Sequence, residues 1–392
     1  KYSAVGLTAL SIIYPIQLLM VALATGTGAG VNILISRLDG LGRSKEQHQV
    51  IKSGLLLTLF HFLIFAVAGT MLAEFYFQIS TDNLAVTKDG IIYTKIIFIG
   101  SLGLFVESIC TKILQARGNM VIPMIAQITG SLLNIILDLF LIFGLTGFPE
   151  LGIAGAAIAT VIGQWAAMFI TLIAVIRKYS LRGRFQISVC KQIYQNGIGS
   201  IVTQSLFTLY IVGLNMILKG FTEDAVTVLG IYYKIQSFFF IPLLGFQQVL
   251  LPLISYNYGA GKISRTKDIL KFASIVSCCI MTVATMIFFA FPHLLIAIFS
   301  TSPALLNIGS YALRVISISF IFAGLTIVIT SYLQGIARMQ ASIFIIVLRQ
   351  VFLLVPLAWV LHFWGLNAVW WTFPLTEVIA CVAGIICVKM FR

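Results

Sequence analysis

The sequence predicts an all-α integral membrane protein made of two pseudo-symmetric helical bundles. Three observations predict it. The 392-residue chain is 60% hydrophobic and only 9% charged, against roughly 25% charged residues in soluble domains. Its apolar runs are long, closely spaced and joined by short polar loops. The chain also repeats itself: a shift of 219 residues lays the stretch from Ile16 to Arg43 on Ile235 to Lys262 without a gap.

No soluble fold of this length hides so much apolar surface, so lipid must cover it. The runs are too long for barrel strands and show no ten-residue alternation, which leaves helices. Eleven spans are expected. The first, 4–37, carries Pro15, Gln17 and the small residues Gly26, Gly28 and Gly30, which let helices approach closely in lipid. Span 48–72 follows, then 90–115 with Glu107 one turn before Thr111. Span 121–144 holds Asn134 and Asp138, and 152–176 holds Thr160 and Gln164. The longest polar connection, 177–191, suits a linker between lobes. The second copy runs through 192–218, 225–256 with Gln236, 267–291, 306–334, 340–362 with Arg349, and 366–390 with Glu377. Each run has about the 20 residues a helix needs to cross a bilayer. Pro15, Pro242, Pro252, Pro356 and Pro374 fall inside spans, where proline removes a backbone hydrogen bond and bends the helix.

The lobes are expected at 1–180 and 181–392. The repeat places the counterpart of span 192–218 before residue 1, so one more helix is expected ahead of the first bundle. Six spans per copy keep both copies in one orientation, related by an axis along the membrane normal, as in secondary transporters.

The net charge of +13 is asymmetric. One set of loops gathers Arg37, Arg43, Lys45, Lys52, Lys112, Arg117, Arg177, Lys178, Arg182, Arg184, Lys191, Lys262, Arg265, Lys267, Lys271 and Arg338, with Lys389 and Arg392 at the C-terminus. The opposite loops carry Glu74, Asp82, Asp89, Glu150, Glu223 and Asp224 against only Lys88, Lys95 and Lys219. That bias puts the basic side and the C-terminus in the cytoplasm. It reads as topology and contact with anionic lipid rather than nucleic-acid binding. Neither the six cysteines nor the four histidines show metal-ligand spacing, and no Gly-Lys-Ser/Thr phosphate loop exists. Nothing marks an enzyme or an ATP-driven pump, and no cofactor is expected.

Charges at membrane depth are costly, which singles out three acids: Glu107, Asp138 and Glu377. Asp138 follows Asn134 by four residues, so the two share a helix face. A carboxyl group beside an amide is a candidate proton or cation acceptor. The shift of 219 puts Leu353 and Leu357 at these positions in the second copy, so the fold does not demand the pair. Glu107 reads either as a cavity acid that attracts cations or as a helix-packing group. Glu377 reads as a partner for Arg349 or as a further cavity acid; Gln164 takes its place in the first copy if Gly152 aligns with Gly365. Gln17 and Gln236 occupy matched positions and are expected near a central cleft. With 30 Phe and 13 Tyr, an aromatic cavity for flat cationic ligands is available.

The chain resembles the multidrug and toxic compound extrusion (MATE) family, in particular its MepA-like bacterial branch. The resemblance is carried by Gly26-x-Gly28-x-Gly30…Leu34-Ile35-Ser36-Arg37-x-x-Gly40-x-Gly42-Arg43, by Leu114-Gln115-Ala116-Arg117-Gly118-Asn119, by Asn134-Ile135-Ile136-Leu137-Asp138, by Gly152-x-Ala154-Gly155-Ala156-Ala157-x-Ala159-Thr160, and by Pro252-x-Ile254-Ser255-Tyr256-Asn257. It implies twelve helices in two lobes around a cavity. It also implies export of cationic or amphipathic drugs in exchange for H+ or Na+. The family's first-lobe ion site corresponds to Asn134, Asp138 and Thr160, joined by an aspartate on the helix expected before residue 1. The expected setting is a bacterial inner (plasma) membrane, with the lipid bilayer as partner and a monomer as the working form. The rival reading is a lipid-linked oligosaccharide flippase or polysaccharide exporter of related architecture. Its cavity would need several cations, and only the scattered Lys234, Arg314 and Arg349 are available.

Overall fold

The computed structural model describes residues 4–145, 149–180, 183–300 and 302–390, without the side chains of Ala4 and Thr208. Arg182 and Arg392, counted above among the cytoplasmic charges, lie outside the described residues. The described chain is helical throughout. In order the helices are α1 (Ala4–Gly40), α2 (Ser44–Ser80), α3 (Leu84–Gly100), α4 (Leu102–Ala116), α5 (Val121–Phe143), α6 (Gly152–Lys178), α7 (Ile187–Lys219) and α8 (Glu223–Gly259). They continue with α9 (Ile263–Ala290), α10 (Pro292–Ala297), α11 (Pro303–Ser317), α12 (Phe320–Gly335), α13 (Met339–Val347), α14 (Leu354–Leu361), α15 (Leu366–Val369) and α16 (Thr372–Met390). A π-helical turn, Leu348–Leu353, joins α13 to α14, and a 3-10 turn, His362–Trp364, precedes α15.

Among the described residues nine helices are long and apolar enough to span a bilayer, or eleven if two bent pairs each count as one span. The protein is therefore a multi-pass membrane protein. The bent pairs correct the expected continuous spans 90–115 and 306–334: α3 meets α4 at 41° and α11 meets α12 at 45°. Both breaks sit at a serine. Ser101 Oγ donates to the Phe98 carbonyl at 2.7 Å, and Ser319 Oγ donates to the Ile316 carbonyl at 2.6 Å. Such a hydroxyl competes with backbone N–H groups for the helix's carbonyl acceptors and bends it. The two breaks fall within one residue of equivalence under the 219-residue shift.

The repeat extends to individual hydrogen bonds. At the end of α1 Arg43 N–H reaches the Leu38 carbonyl at 2.9 Å, and at the end of α8 Lys262 N–H reaches the Asn257 carbonyl at 2.9 Å. Gly42 and Gly261 supply the left-handed residue, with φ of 70° and 71°. This is the Schellman ending, in which glycine carries no Cβ penalty. The second such pair is Gly118 at φ 77° and Ala337 at φ 63°. Here the second copy places a Cβ where the first has none.

The chain divides into two compact units, Lys1–Ile201 and Val202–Arg392. The division falls inside α7, downstream of the linker. The reason lies in the first unit, where the start of α7 packs directly on α1. A Cβ on Gly30 would stand 2.0 Å from the Ile193 carbonyl oxygen, and one on Gly197 would stand 2.2 Å from that of Gly26. Only glycine permits this approach, which maximises packing contact where lipid supplies no hydrophobic drive between helices.

Each unit has its own core. In the first, Ile35, Ile51, Ile109, Ile113 and Ile193 join α1, α2, α4 and α7, and Phe77, Phe98 and Phe105 join α2, α3 and α4. In the second, Tyr232, Phe240, Phe288, Phe320 and Trp370 pack together. Phe288 and Phe320 meet edge to face at 4.9 Å between centroids, a favoured aromatic geometry. The opposite helix faces are greasy too. On α2, Phe60, Leu63, Val67, Met71 and Phe75 form an outward stripe, each more than half exposed, while Ile51, Gly54, Leu57, Thr58 and His61 face inward. A stripe of that kind belongs against acyl chains.

Candidate functional site

The first unit contains a cavity of about 230 Å³ between α4, α5 and α6. Its walls are Leu104 and Glu107 from α4, Gln127, Gly130, Ser131 and Asn134 from α5, and Thr160, Gly163, Gln164 and Ala167 from α6. Helices α5 and α6 can flank it so closely because glycines face each other. A Cβ on Gly130 would meet the Gly163 carbonyl oxygen at 2.7 Å, and one on Gly163 would meet that of Gly130 at 2.5 Å. Polar groups on neighbouring turns of α5 and α6 are thereby brought within bonding reach.

Asn134 Nδ2 donates to Thr160 Oγ1 at 3.3 Å, and Thr160 Oγ1 donates to the Ala156 carbonyl at 2.9 Å. The two residues that the resemblance joined, 26 apart in sequence, are thus in contact on the cavity wall. Asp138 is not among the lining residues; it lies one helical turn beyond Asn134 on α5. Asp138 is half-buried, and its Oδ1 is buried with no hydrogen-bond partner. No basic side chain pairs with it among the described residues. Tyr93 on α3 lies within electrostatic reach of Asp138 and accepts a hydrogen bond from Gln17 Nε2 at 3.2 Å. Gln17 thereby joins the surroundings of the carboxyl group through a tyrosine.

Glu107 is almost fully buried, at 7% exposure, and lines the cavity. Its Oε1 accepts from Thr111 Oγ1 at 2.7 Å and from Gln127 Nε2 at 3.0 Å. Two donors offset part of the cost of holding a carboxyl group out of water. Glu107 thus ties α4 to α5 from the wall of the cavity. Gln164 lines the same cavity.

The other two candidates lie elsewhere. Gln236 is half-buried on α8, in the second unit. Glu377 is also in the second unit, where its Oε1 pairs with Arg349 Nε at 2.7 Å. It is a paired group and no part of the cavity in the first unit. Gln127 and Tyr93 are the site residues that sequence reasoning passed over. Gln127 is one of several glutamines inside the apolar runs, and its contact with Glu107, across 20 residues, distinguishes it.

The MatE family profile matches residues 1–140 and 200–360. The multidrug export protein MepA of Staphylococcus saprophyticus is 26% identical over 399 residues, covering 98% of this chain and 86% of the relative. A protein of Shewanella oneidensis named an FAD transporter is 27% identical over 364 residues, covering 90% and 79%. Among solved structures, a variant of the Vibrio cholerae MATE transporter VcmN superposes with a TM-score of 0.93 at 20% identity, covering 99% of this chain and 89% of that one. With the profile covering well over half its length, the chain belongs to the MatE family of membrane transporters, alongside multidrug exporters of the MepA type.

Proposed function

We propose that this protein exports cationic or amphipathic small molecules by alternating access, in exchange for H+ or Na+, with Asp138, Asn134 and Thr160 as the ion-coupling group. Relatives of similar identity, 26% and 27%, carry names for different cargo, so the cargo rests on site chemistry rather than on family. The observation that carries the reading is the polar wall of the first unit. Asn134 and Thr160 are hydrogen-bonded beside a cavity that also holds Glu107, and the neighbouring Asp138 keeps one buried carboxyl oxygen without a donor. An unfilled acceptor at membrane depth is where a proton or a sodium ion gains most.

The cycle follows from linkage. The ion enters from outside and neutralises Asp138, which changes the packing of α5 on α6 and lowers affinity for a cationic drug. The drug leaves outward, and the ion is released inward. Coupling requires the ion to bind the two states differently, and the drug then alters ion affinity by the same factor. The protein works in this reading as a monomer in a bacterial inner membrane. The flippase reading has less support, because only three candidate cations are available and one of them, Lys234, sits over the Phe299 ring at 6.0 Å.

The test is efflux of a fluorescent cation from vesicles, with proton and sodium gradients imposed separately. Replacing Asp138 by Asn removes the charge at constant shape and should abolish gradient-driven efflux while dye binding persists. Undiminished efflux by Asp138→Asn would reject the assignment.

A further inference from the structure

The second unit holds a buried polar cluster that the proposed ion cycle leaves unused. Its centre is the Arg349–Glu377 pair, and both residues stand near the middle of their spans, Met339–Trp364 and Leu366–Met390. The 219-residue shift carries Gly130 onto Arg349, and aligning Gly152 with Gly365 carries Gln164 onto Glu377. Gly152 and Gly365 share positive φ, 54° and 96°, which supports that register. The positions that line the cavity of the first unit are therefore filled in the second by a guanidinium and a carboxyl group.

The pair is incompletely satisfied. Arg349 Nε stands 2.7 Å from Glu377 Oε1 without a well-formed hydrogen bond, its Nη nitrogens make no ion pair or hydrogen bond among the described residues, and a quarter of its side chain is exposed. Glu377 is 4% exposed, and its Oε2 is buried without a hydrogen-bond partner. Arg349 sits on the π-helical turn, where the Leu354 N–H bonds to the Arg349 carbonyl five residues back. Turns of this kind are rare and gather at functional sites. Tyr210 and Tyr232 lie within electrostatic reach of Arg349. Tyr233 meets both rings at a tilt, with centroids 6.3 Å from Tyr210 and 5.1 Å from Tyr232.

An arginine with no protein partner on its Nη nitrogens and a quarter of its side chain exposed can bind a planar oxyanion in a two-pronged contact, and the tyrosines within its electrostatic reach suit an aromatic body. We propose that the Nη edge of Arg349 binds the carboxylate of an aromatic cargo molecule, with Glu377 as the competing internal anion. The proposal rests on the transport reading only in treating the ligand as cargo.

Fluorescence anisotropy on the protein in lipid nanodiscs tests it, with fluorescein as the aromatic carboxylate and rhodamine 6G as a cationic dye of the same ring system whose carboxyl group is esterified. Glu377→Gln removes the competitor and should tighten fluorescein binding by about tenfold or more, since a buried guanidinium left unpaired seeks an anion. The charge-neutral double variant Arg349→Gln/Glu377→Gln should lose fluorescein binding, relative to both Glu377→Gln and the wild type. Rhodamine 6G binding should stay within about twofold in every variant, which also reports folding. Fluorescein affinity that is the same in the double variant as in the wild type overturns the proposal, even if Glu377→Gln fails to fold. So does a double variant that loses both dyes equally. Failure of Asp138→Asn to block efflux would leave these binding results untouched.

Discussion

Glu107 and Asp138 are both carboxyl groups at membrane depth, yet their neighbours give them different work. The Oε1 of Glu107 is filled by Thr111 and Gln127, whereas a buried oxygen of Asp138 has no donor. Gln127→Leu should therefore act on stability, leaving a buried acid with one donor fewer at a cost of about 1–3 kcal/mol. A lowered thermal midpoint in detergent, with the order of dye affinities unchanged, is the expected result. A second residue-scale prediction concerns Ala337, held at φ 63° where its counterpart is Gly118 at φ 77°. A left-handed residue with a Cβ costs roughly 1–2 kcal/mol. Ala337→Gly should stabilise by about 0.5–1 kcal/mol after the added entropy of the unfolded chain is subtracted, and Gly118→Ala should destabilise by a similar amount. Thermal unfolding of the two variants, scanned side by side, checks the opposite signs.

At the scale of elements, glycine rather than apolar bulk decides which helices meet. Gly130 and Gly163 bring α5 onto α6, and Gly26, Gly30 and Gly197 bring α1 onto α7. Gly163→Val would drive a side chain into the Gly130 carbonyl and pull Asn134 away from Thr160. The expected outcome is a sharp fall in folded yield or, where protein survives, lost ion-dependent dye release. Gly245→Val, at a position where a Cβ meets nothing within 4 Å, should be tolerated. The broken helices follow a different logic. Residues 90–115 and 306–334 read as unbroken apolar runs because hydropathy does not register a serine turning back on its own helix. The bends at Ser101 and Ser319 become visible only with the hydroxyl contacts.

At the scale of the whole molecule, the charge bias predicts topology. Single cysteines replacing Ser44 and Lys262, both exposed at turns on the basic side, should react with an impermeant thiol reagent only from the cytoplasm. Cysteines replacing Asp82 and Glu223, exposed at turns on the acidic side, should react only from outside. Labelling of Ser44→Cys and Asp82→Cys from the same side would overturn the assigned orientation.

The sequence by itself determined the membrane class, the helical character of the spans and the repeat. These follow from composition and pattern along the chain: a run of apolar residues must span, and the 219-residue shift lays one copy on the other. It also marked Asp138, Asn134, Glu107 and Glu377, because any ionisable or amide group at membrane depth stands out against the cost of burying it. Tertiary structure decided what those groups touch. It joined Asn134 to Thr160, filled Glu107 with Gln127, left Asp138 one turn beyond the cavity wall, and turned Glu377 onto Arg349. Those outcomes depend on where helices distant in sequence cross and how closely their backbones approach, and a one-dimensional pattern does not carry that distance.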